Sequence, residues 1–497
     1  MDRLLNSSKM KTIEISWKPD RTSKVPIYSQ IVEYVTAKIQ KGDWVEGERL
    51  PSQRRLSELF GVNRSTIVTA MEELLSYGIV ESMGAAGTRI SGGSWSLRLA
   101  QPPDWNQYIK SGPFKANRPT IQMINRMEFE QGYIRIGTGE LSPDLYPKEL
   151  VRDILNKLPD RIHSLNYLGT LGLPELREEL CTYLEREQGI RTSPDNILIT
   201  SGSLQALQLI SICMLKRGAT VYTEAPTYLK SLQVFQSAGM NMAGLPMDEE
   251  GMRYGSLRGK DLKDSIVYTI PSFHNPTGQV MSLKRRINLL SFLSEKHIPL
   301  IEDDAYGALW IDEKPPASIK SLDEGGNVLY LGTLSKTMAP GLRIGWVVGP
   351  EAVVYRLGDV KMQTDYGSSS VSQWVATELL NNPEYSAYLK ELREQLRFRR
   401  DLADQALREF FGDLKESGSA ATWDIPGGGF YIWLRFAGKL PMDKIFYEAL
   451  HRGVLFNPGN VYDYAENNAI RVSYAWAAPE ELRQAIRILS EIIRKYI

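Results

Sequence analysis

The 497-residue chain has only two cysteines, Cys181 and Cys213. Two distant thiols exclude a disulfide framework, and neither sits at a metal-ligand spacing. Histidine is almost as scarce. His163, His274, His297 and His451 are scattered, which argues against a zinc site, so no metal is expected. Charge of either sign is in no excess, 59 Lys+Arg against 59 Asp+Glu, so no overall field draws the protein onto nucleic acid or a membrane. Any DNA binding has to come from a local patch. No apolar run of about 18 residues occurs, and the opening MDRLLNSSKMK has neither a continuous apolar stretch nor a cleavage site. These absences predict a cytoplasmic protein without a membrane span. What is present, 42% hydrophobic residues over a length of roughly three domains, supports a large core.

From Pro26 to Ile90 the spacing predicts three helices and a hairpin. Ile27, Ile31, Tyr34, Val35 and Ile39 mark the first helix. Ser52 caps a second that Gly61 stops, and the third runs from Asn63 or Arg64 to about Tyr77. Ile79–Ser82 and Thr88–Ile90 pair around Gly84-Ala85-Ala86-Gly87. Two helices joined by a short turn at Gly61–Val62 match helix-turn-helix geometry. Arg64, Ser65 and Thr66 then open the helix that a major groove admits. Between Arg49 and Thr66 stand four arginines and one glutamate, Glu58, whereas residues 1–90 hold thirteen basic and eleven acidic residues. Positive charge is thus concentrated where phosphates would lie. The stretch resembles the GntR-family winged helix-turn-helix, through Arg49-Leu50-Pro51-Ser52, Gly61-Val62-Asn63-Arg64-Ser65-Thr66 and Gly87-Thr88. The resemblance implies double-stranded DNA as partner, with Arg49, Ser52, Arg54, Arg64, Ser65, Thr66, Gly87 and Thr88 as contacts. Ala85-Ala86 replaces the wing's usual polar residues and leaves Arg89 as its only cation.

Residues 92–131 carry turn formers and little periodicity, which predicts a linker with room for a short helical piece. Trp95, Trp105, Tyr108 and Phe114 suggest that parts of it dock on a folded surface. Beyond Gly132, short apolar runs at 197–200, 220–222, 265–270, 299–302, 328–332 and 344–348 alternate with helical stretches at 203–215, 228–238 and 283–296. That alternation predicts a mostly parallel sheet covered on both faces. A long charged helix after about Asn381, then Gly427-Gly428-Gly429-Phe430-Tyr431, Ile470–Tyr474 and a closing helix, predicts a smaller α+β lobe.

The strongest chemical pattern is Thr333-Leu-Ser335-Lys336 followed by Pro340-Gly341-Leu-Arg343. A lysine after a strand, flanked by hydroxyls and followed by an arginine, suits a phosphorylated aldehyde cofactor. Lys336 would form a Schiff base, and Thr333, Ser335 and Arg343 would hold the phosphate. Ser201-Gly202-Ser203-Leu204 precedes a helix, so its amides and the Ser203 hydroxyl can receive phosphate too.

Residues 132–497 resemble the fold-type I, class I aminotransferases that use pyridoxal 5′-phosphate (PLP). In Ser272-Phe-His274-Asn275-Pro276-Thr277-Gly278 the resemblance makes Asn275 a partner of the cofactor's O3′. In Glu302-Asp303-Asp304-Ala305-Tyr306 it makes Tyr306 the second, and Asp303 the partner of the pyridine nitrogen. Asp304 competes for that place, and the spacing to Tyr306 favours Asp303. Tyr228 would stack on the ring, and Arg471 would fork onto a substrate carboxylate, a role lysine does not copy. The implied fold is an α/β aminotransferase-like domain over 132–497, with a large parallel-sheet lobe at about 170–375 and a small α+β lobe in the remainder. It stands behind a winged helix-turn-helix over 22–91. A reader joined to such a body resembles the MocR-type transcriptional regulators. That resemblance implies a head-to-tail homodimer whose large domain senses an effector, and the co-occurrence of the two sites predicts an amino-acid-like effector sensed through external aldimine formation and an operator with two half-sites. Two alternatives stay open: an active aminotransferase carrying a DNA-binding domain, and a regulator that senses PLP itself.

Overall fold

In the computed structural model, which describes residues 13, 15–84, 87–91, 105–114, 116–416 and 421–497, Ser52 and Gly61 bracket the helix Gln53–Phe60. The Ser52 hydroxyl accepts from the Arg55 amide, and Gly61 takes the left-handed conformation that ends the helix. The helices Ile27–Gln40 and Arg64–Ser76 complete the trio, and Val80–Ser82 pairs antiparallel with Thr88–Ile90. Arg21 donates to the Gly61 carbonyl at 2.8 Å and the Ser57 hydroxyl to that of Val62 at 2.6 Å, which holds the turn between the second and third helices. The core starts upstream of residue 22. Ile13 is buried, and Trp17 stacks on Tyr34 at 4.5 Å and meets the edge of Phe60. An extended stretch lacks the helical period that would have revealed it. Ala85, Ala86 and Trp95 lie outside the described residues.

The chain divides into two units between Gly112 and Pro113. Trp105 and Tyr108, on the helix Trp105–Ser111, and Phe114 beyond it are about two-thirds exposed. In the second unit the stretch read as linker contains the amphipathic helix Pro119–Met127, with Pro119 at its first turn and Ile121 and Ile124 buried. The main sheet runs in the order Ile197–Thr200, Gly345–Val348, Val328–Thr333, Leu300–Asp303, Ser265–Thr269, Thr220–Ala225, Asn241–Asp248, Gly251–Met252. It is parallel except at two strands: Gly345–Val348 lies antiparallel to both neighbours, and Gly251–Met252 folds back on the edge. Side chains alternate between faces. Val347 packs with Leu207 and Ile210 of the helix Ser203–Cys213 and Val354 of Glu351–Thr364, whereas Trp346 and Val348 pack with Leu176 and Leu380 of the helices opposite. The stretch 228–238 is not the expected single helix. It forms a 3₁₀ turn, Tyr228–Ser231, and one helical turn, Val234–Ser237.

The small lobe joins Ala421–Thr422, Tyr431–Phe436, Ala469–Ser473 and Asn457–Pro458 in an antiparallel sheet. Helices Pro383–Glu416 and Pro479–Ile493 share a core with it through Phe411, Ile486 and Leu489. Ile134–Arg135 pairs parallel with Val454–Leu455, so chain from before the large sheet is built into this lobe. The triple glycine has a steric reason: a Cβ at Gly428 would stand 2.6 Å from the Phe273 ring, two residues before Asn275.

One buried polar contact ties adjacent strands of the large sheet. Glu224 Oε1 accepts from the Thr269 hydroxyl and the Ile270 amide, and Oε2 has no hydrogen-bond partner among the described residues. His274 Nε2 lies 3.9 Å from Oε2. No ion pair forms there, because burial lowers the imidazole to about 3 and raises the carboxyl from 4.5 to about 7. Glu224 therefore contributes stability that is complete below pH 4.5 and is lost as pH rises through about 7. Urea unfolding of the full chain between pH 5 and 8 should show stability falling toward pH 8, with a flatter profile in Glu224→Gln. Parallel profiles would contradict a buried neutral carboxyl.

Candidate functional site

Loops leaving the carboxyl ends of the parallel strands converge on one cavity of about 350 Å³, the place where an open α/β sheet binds ligands. Ser203 and Leu204 follow the first strand in the sheet order, Tyr228 follows Thr220–Ala225, and Asn275 follows Ser265–Thr269. Asp303 ends its strand just before Tyr306, and Thr333, Ser335 and Lys336 close Val328–Thr333. Arg343 and, from the small lobe, Arg471 complete the set. All eleven line this cavity.

At one end, Gly202 precedes the helix Ser203–Cys213 with φ +83°, and a Cβ there would stand 2.9 Å from the Arg343 guanidinium. A Cβ on Gly345 would meet the Gly202 backbone at 2.8 Å. Two bare backbones in contact leave the helix amides uncovered, beside an arginine whose Nη2 donates to the Ser201 carbonyl at 2.7 Å. With the Ser203 and Ser335 hydroxyls this is a cradle for a phosphate. The buried Thr333 hydroxyl is engaged by Ile344 O at 2.9 Å and by the Ser335 amide at 3.1 Å, so it shapes the turn. Leu204 carries no polar side-chain atom, which leaves only its amide for an anion.

Elsewhere on the wall, Asp303 Oδ2 accepts from the Tyr268 hydroxyl at 2.7 Å, and buried Oδ1 has no partner among the described residues. Burial pushes this carboxyl up to about 6, while the Tyr268 hydrogen bond pulls the other way. Asp304 accepts instead from Tyr330 at 2.8 Å and does not line the cavity. Tyr306 and Tyr431 hydroxyls lie 3.0 Å apart, and Asn275 Nδ2 reaches Tyr306 at 3.5 Å. Lys336 Nζ donates to the Gly139 carbonyl at 2.6 Å. An orphaned buried carboxylate oxygen, a phosphate cradle and a lysine amine on one cavity fit the ring nitrogen, phosphate and aldehyde of PLP.

Arg471 is 4% exposed. Its Nη1 donates to Asn275 Oδ1 at 2.9 Å and its Nη2 to Gly137 O at 2.6 Å. The guanidinium lies over the rings of Tyr431 and Tyr462, 4.1 and 4.7 Å from their centroids. Its Nε has no partner among the described residues. Sequence reasoning missed Tyr268, Tyr431, Tyr462 and the wall formed by residues 117–140. Only Pro119 with Ile121 and Ile124 at helical spacing signalled the last of these.

In the first unit Arg64 and Ser65 stand exposed at the start of their helix, and Thr66 is half-buried. Arg49 and Arg54 are exposed, and Glu58 pairs with Arg55 at 2.9 Å and with Arg54 at 3.7 Å. Ser52 is occupied as a helix cap. Gly87, at φ +90°, accepts from Met83 through its carbonyl, and Thr88 sits opposite Ser82 in the ribbon. Arg89 is paired with Glu81, which neutralises the cation expected on the wing. Among the described residues no helix is long and apolar enough to cross a membrane.

The family model for aminotransferase class I and II matches residues 135–489, and that for bacterial regulatory proteins of the gntR family matches 27–90. The "Uncharacterized HTH-type transcriptional regulator YisV" of Bacillus subtilis (strain 168) is 48% identical over 482 residues, 96% of this chain and 98% of that protein. The HTH-type transcriptional regulator NorG of Staphylococcus aureus (strain N315) is 31% identical, over 90% of this chain and 100% of NorG. Among solved structures, a Pyrococcus horikoshii kynurenine aminotransferase matches with TM-score 0.72 and 32% identity, over 79% of this chain and 98% of that one. An archaeal alanine:glyoxylate aminotransferase matches with TM-score 0.73 and 28% identity, over 79% and 100%. The chain therefore belongs to the aminotransferase class I and II family and, through its gntR-family head, to the MocR-type group, the PLP-dependent DNA-binding transcriptional regulators.

Proposed function

We propose that the cavity senses an amino acid, and that its occupancy is reported to DNA by the winged head. The observation that carries this reading is Arg471, a buried guanidinium whose Nε has no partner among the described residues, on the same cavity as Lys336. Lys336 would hold PLP. Arg343, Ser203, Ser335 and the amides of Ser203 and Leu204 would hold its phosphate, with Thr333 shaping the turn. Asp303 would serve the ring nitrogen, Asn275 and Tyr306 the O3′, and Tyr228 the ring. Bound there, the cofactor supplies a reversible carbon–nitrogen linkage to a primary amine.

The chain's own residues do the rest. Arg471 offers a carboxylate a fork by giving up its bonds to Asn275 or Gly137. The Gly139 carbonyl, which accepts from Lys336 Nζ, would hold that amine whenever it is not linked to the cofactor. The effector must bind one arrangement of the protein more tightly than another, or nothing shifts. A head-to-tail homodimer reading two half-sites about 34–36 Å apart, or a multiple of that, responds when the spacing of its heads changes. Arg49, Arg54, Arg64, Ser65 and Thr66, with the ribbon at Gly87 and Thr88, form the DNA face, and the protein acts in the bacterial cytoplasm.

A second reading is favoured by the same inventory, because Lys336, Asp303, Asn275, Tyr306 and Arg471 suffice for amino-group transfer. A panel of amino acids given to PLP-loaded protein, with ketoacid release and operator footprint measured together, separates the two. A footprint changed by amino acids supports sensing; rapid ketoacid release over an unchanged footprint contradicts it. A footprint altered by PLP alone would make the cofactor the signal. Lys336→Ala should abolish the visible absorbance of the lysine-linked cofactor, and an unchanged band would refute the assignment. Arg64→Ala should weaken operator binding and lower the salt slope by about 0.9 while PLP uptake persists; loss of both functions would mean that Arg64 supports the fold.

A further inference from the structure

Among the described residues six charged side chains line the cavity: Lys336, Arg343, Arg471, Asp303, Glu128 and Glu140. The cofactor accounts for Lys336, Arg343 and Asp303, and an effector carboxylate accounts for Arg471. Two carboxylates remain without a role. Glu128 directly follows the helix Pro119–Met127, and its backbone is pinned, its amide donating to Ile124 O at 2.9 Å and its carbonyl accepting from Arg135. Its side chain is half-buried, and Oε1 accepts from the Thr138 hydroxyl at 3.3 Å. Burial raises this carboxyl, and Arg471 draws it down, so the two charges share one space. Glu140 is exposed on the rim, next in the chain to the Gly139 carbonyl that receives Lys336.

A separate observation points the same way. Asn457 is 7% exposed and lines the same wall. Its Nδ2 donates to the Tyr462 hydroxyl at 2.7 Å, and its Oδ1 has no donor among the described residues. The cavity thus offers acceptors beyond those that a cofactor and a simple amino acid would fill. Apart from Arg471, whose charge already acts on Glu128, they are offered no positively charged donor among the described residues.

Resting on the amino-acid reading above, we propose that the effector is a diamino carboxylate, whose second, cationic nitrogen is taken by Glu128 with Glu140 and the Asn457 carbonyl oxygen. The segment that reads this nitrogen ends the first helix after the boundary at Gly112 and Pro113. Selectivity and the path toward the head therefore reside in the same stretch of chain.

L-Ornithine, L-norvaline and L-glutamate have backbones of equal length that end in an ammonium, a methyl and a carboxylate. Calorimetric titration of the PLP-loaded full chain with each, alongside operator footprints, tests the proposal. In the wild type, ornithine should half-saturate at about tenfold lower concentration than norvaline, the low end of what a charge-assisted hydrogen bond supplies, and glutamate should bind worst. Glu128→Gln should shrink the ornithine preference to about twofold, and Glu128→Lys should turn it toward glutamate. Equal binding of ornithine and norvaline by the wild type overturns the diamino proposal and leaves amino-acid sensing in place. So does an undiminished preference in both variants. Should the variants fail to take up PLP, the wild-type comparison decides alone. Silence toward every amino acid, in heat and in footprint, overturns the sensing reading and this proposal with it.

Discussion

A buried guanidinium that hydrogen-bonds no carboxylate among the described residues, and feels Glu128 only through space, ties the second unit together. Arg471 lies on a small-lobe strand, and its fork is divided between Asn275, on a large-lobe loop, and Gly137, on the chain that precedes the large sheet. Withdrawing a guanidinium from water costs several kcal/mol unless hydrogen bonds and a counter-charge compensate it. Two carbonyl oxygens and two tyrosine rings compensate only in part. On the proposed reading this guanidinium would receive an anion, and the bonds it would exchange to do so are those that join three parts of the second unit. Ligand recognition and internal cohesion would then use the same donors.

The cofactor groups depend on simpler geometry. Parallel strands deliver their following loops to one edge, so Ser203, Tyr228, Asn275, Asp303 and Lys336, spread over more than a hundred residues, arrive at one cavity. Close approach of the Gly202 and Gly345 backbones leaves the helix amides open to a phosphate. Burial does the remaining tuning: it raises Asp303 to about 6, and a cationic ring nitrogen beside it would draw the carboxyl back down and hold it ionised.

Much of this was legible because it follows local rules. Hydroxyls and glycines at helix starts, a lysine after a strand and an Asn-Pro turn have the same meaning in any context. Ser52 and Gly61 bounded their helix for the same reason. What stayed hidden depended on distant contacts. The stretch 113–131 looks like linker until Ile121 and Ile124 are seen packed against the cavity. Tyr228 begins only a 3₁₀ turn, Tyr228–Ser231, and its amide is taken by the Asn275 carbonyl at 2.9 Å. Gly345–Val348 reads as one more parallel strand, although the turn from Thr333 is too short for a crossover and forces it antiparallel. The strand Asn241–Asp248 was missed because Gly244 and Pro246 interrupt it, at positions paired on one side only, with Thr220–Ala225. Glu128 and the tyrosines around Arg471 carry no motif.

The fork of Arg471 is the point at which the account is most exposed. Arg471→Lys keeps the charge and removes the planar pair of donors. With PLP bound, the variant should keep the cofactor's visible band and its grip on the operator, yet amino acids that shift the wild-type footprint should no longer do so. A footprint that still responds at wild-type amino-acid concentrations would show that the effector's carboxylate is bound elsewhere.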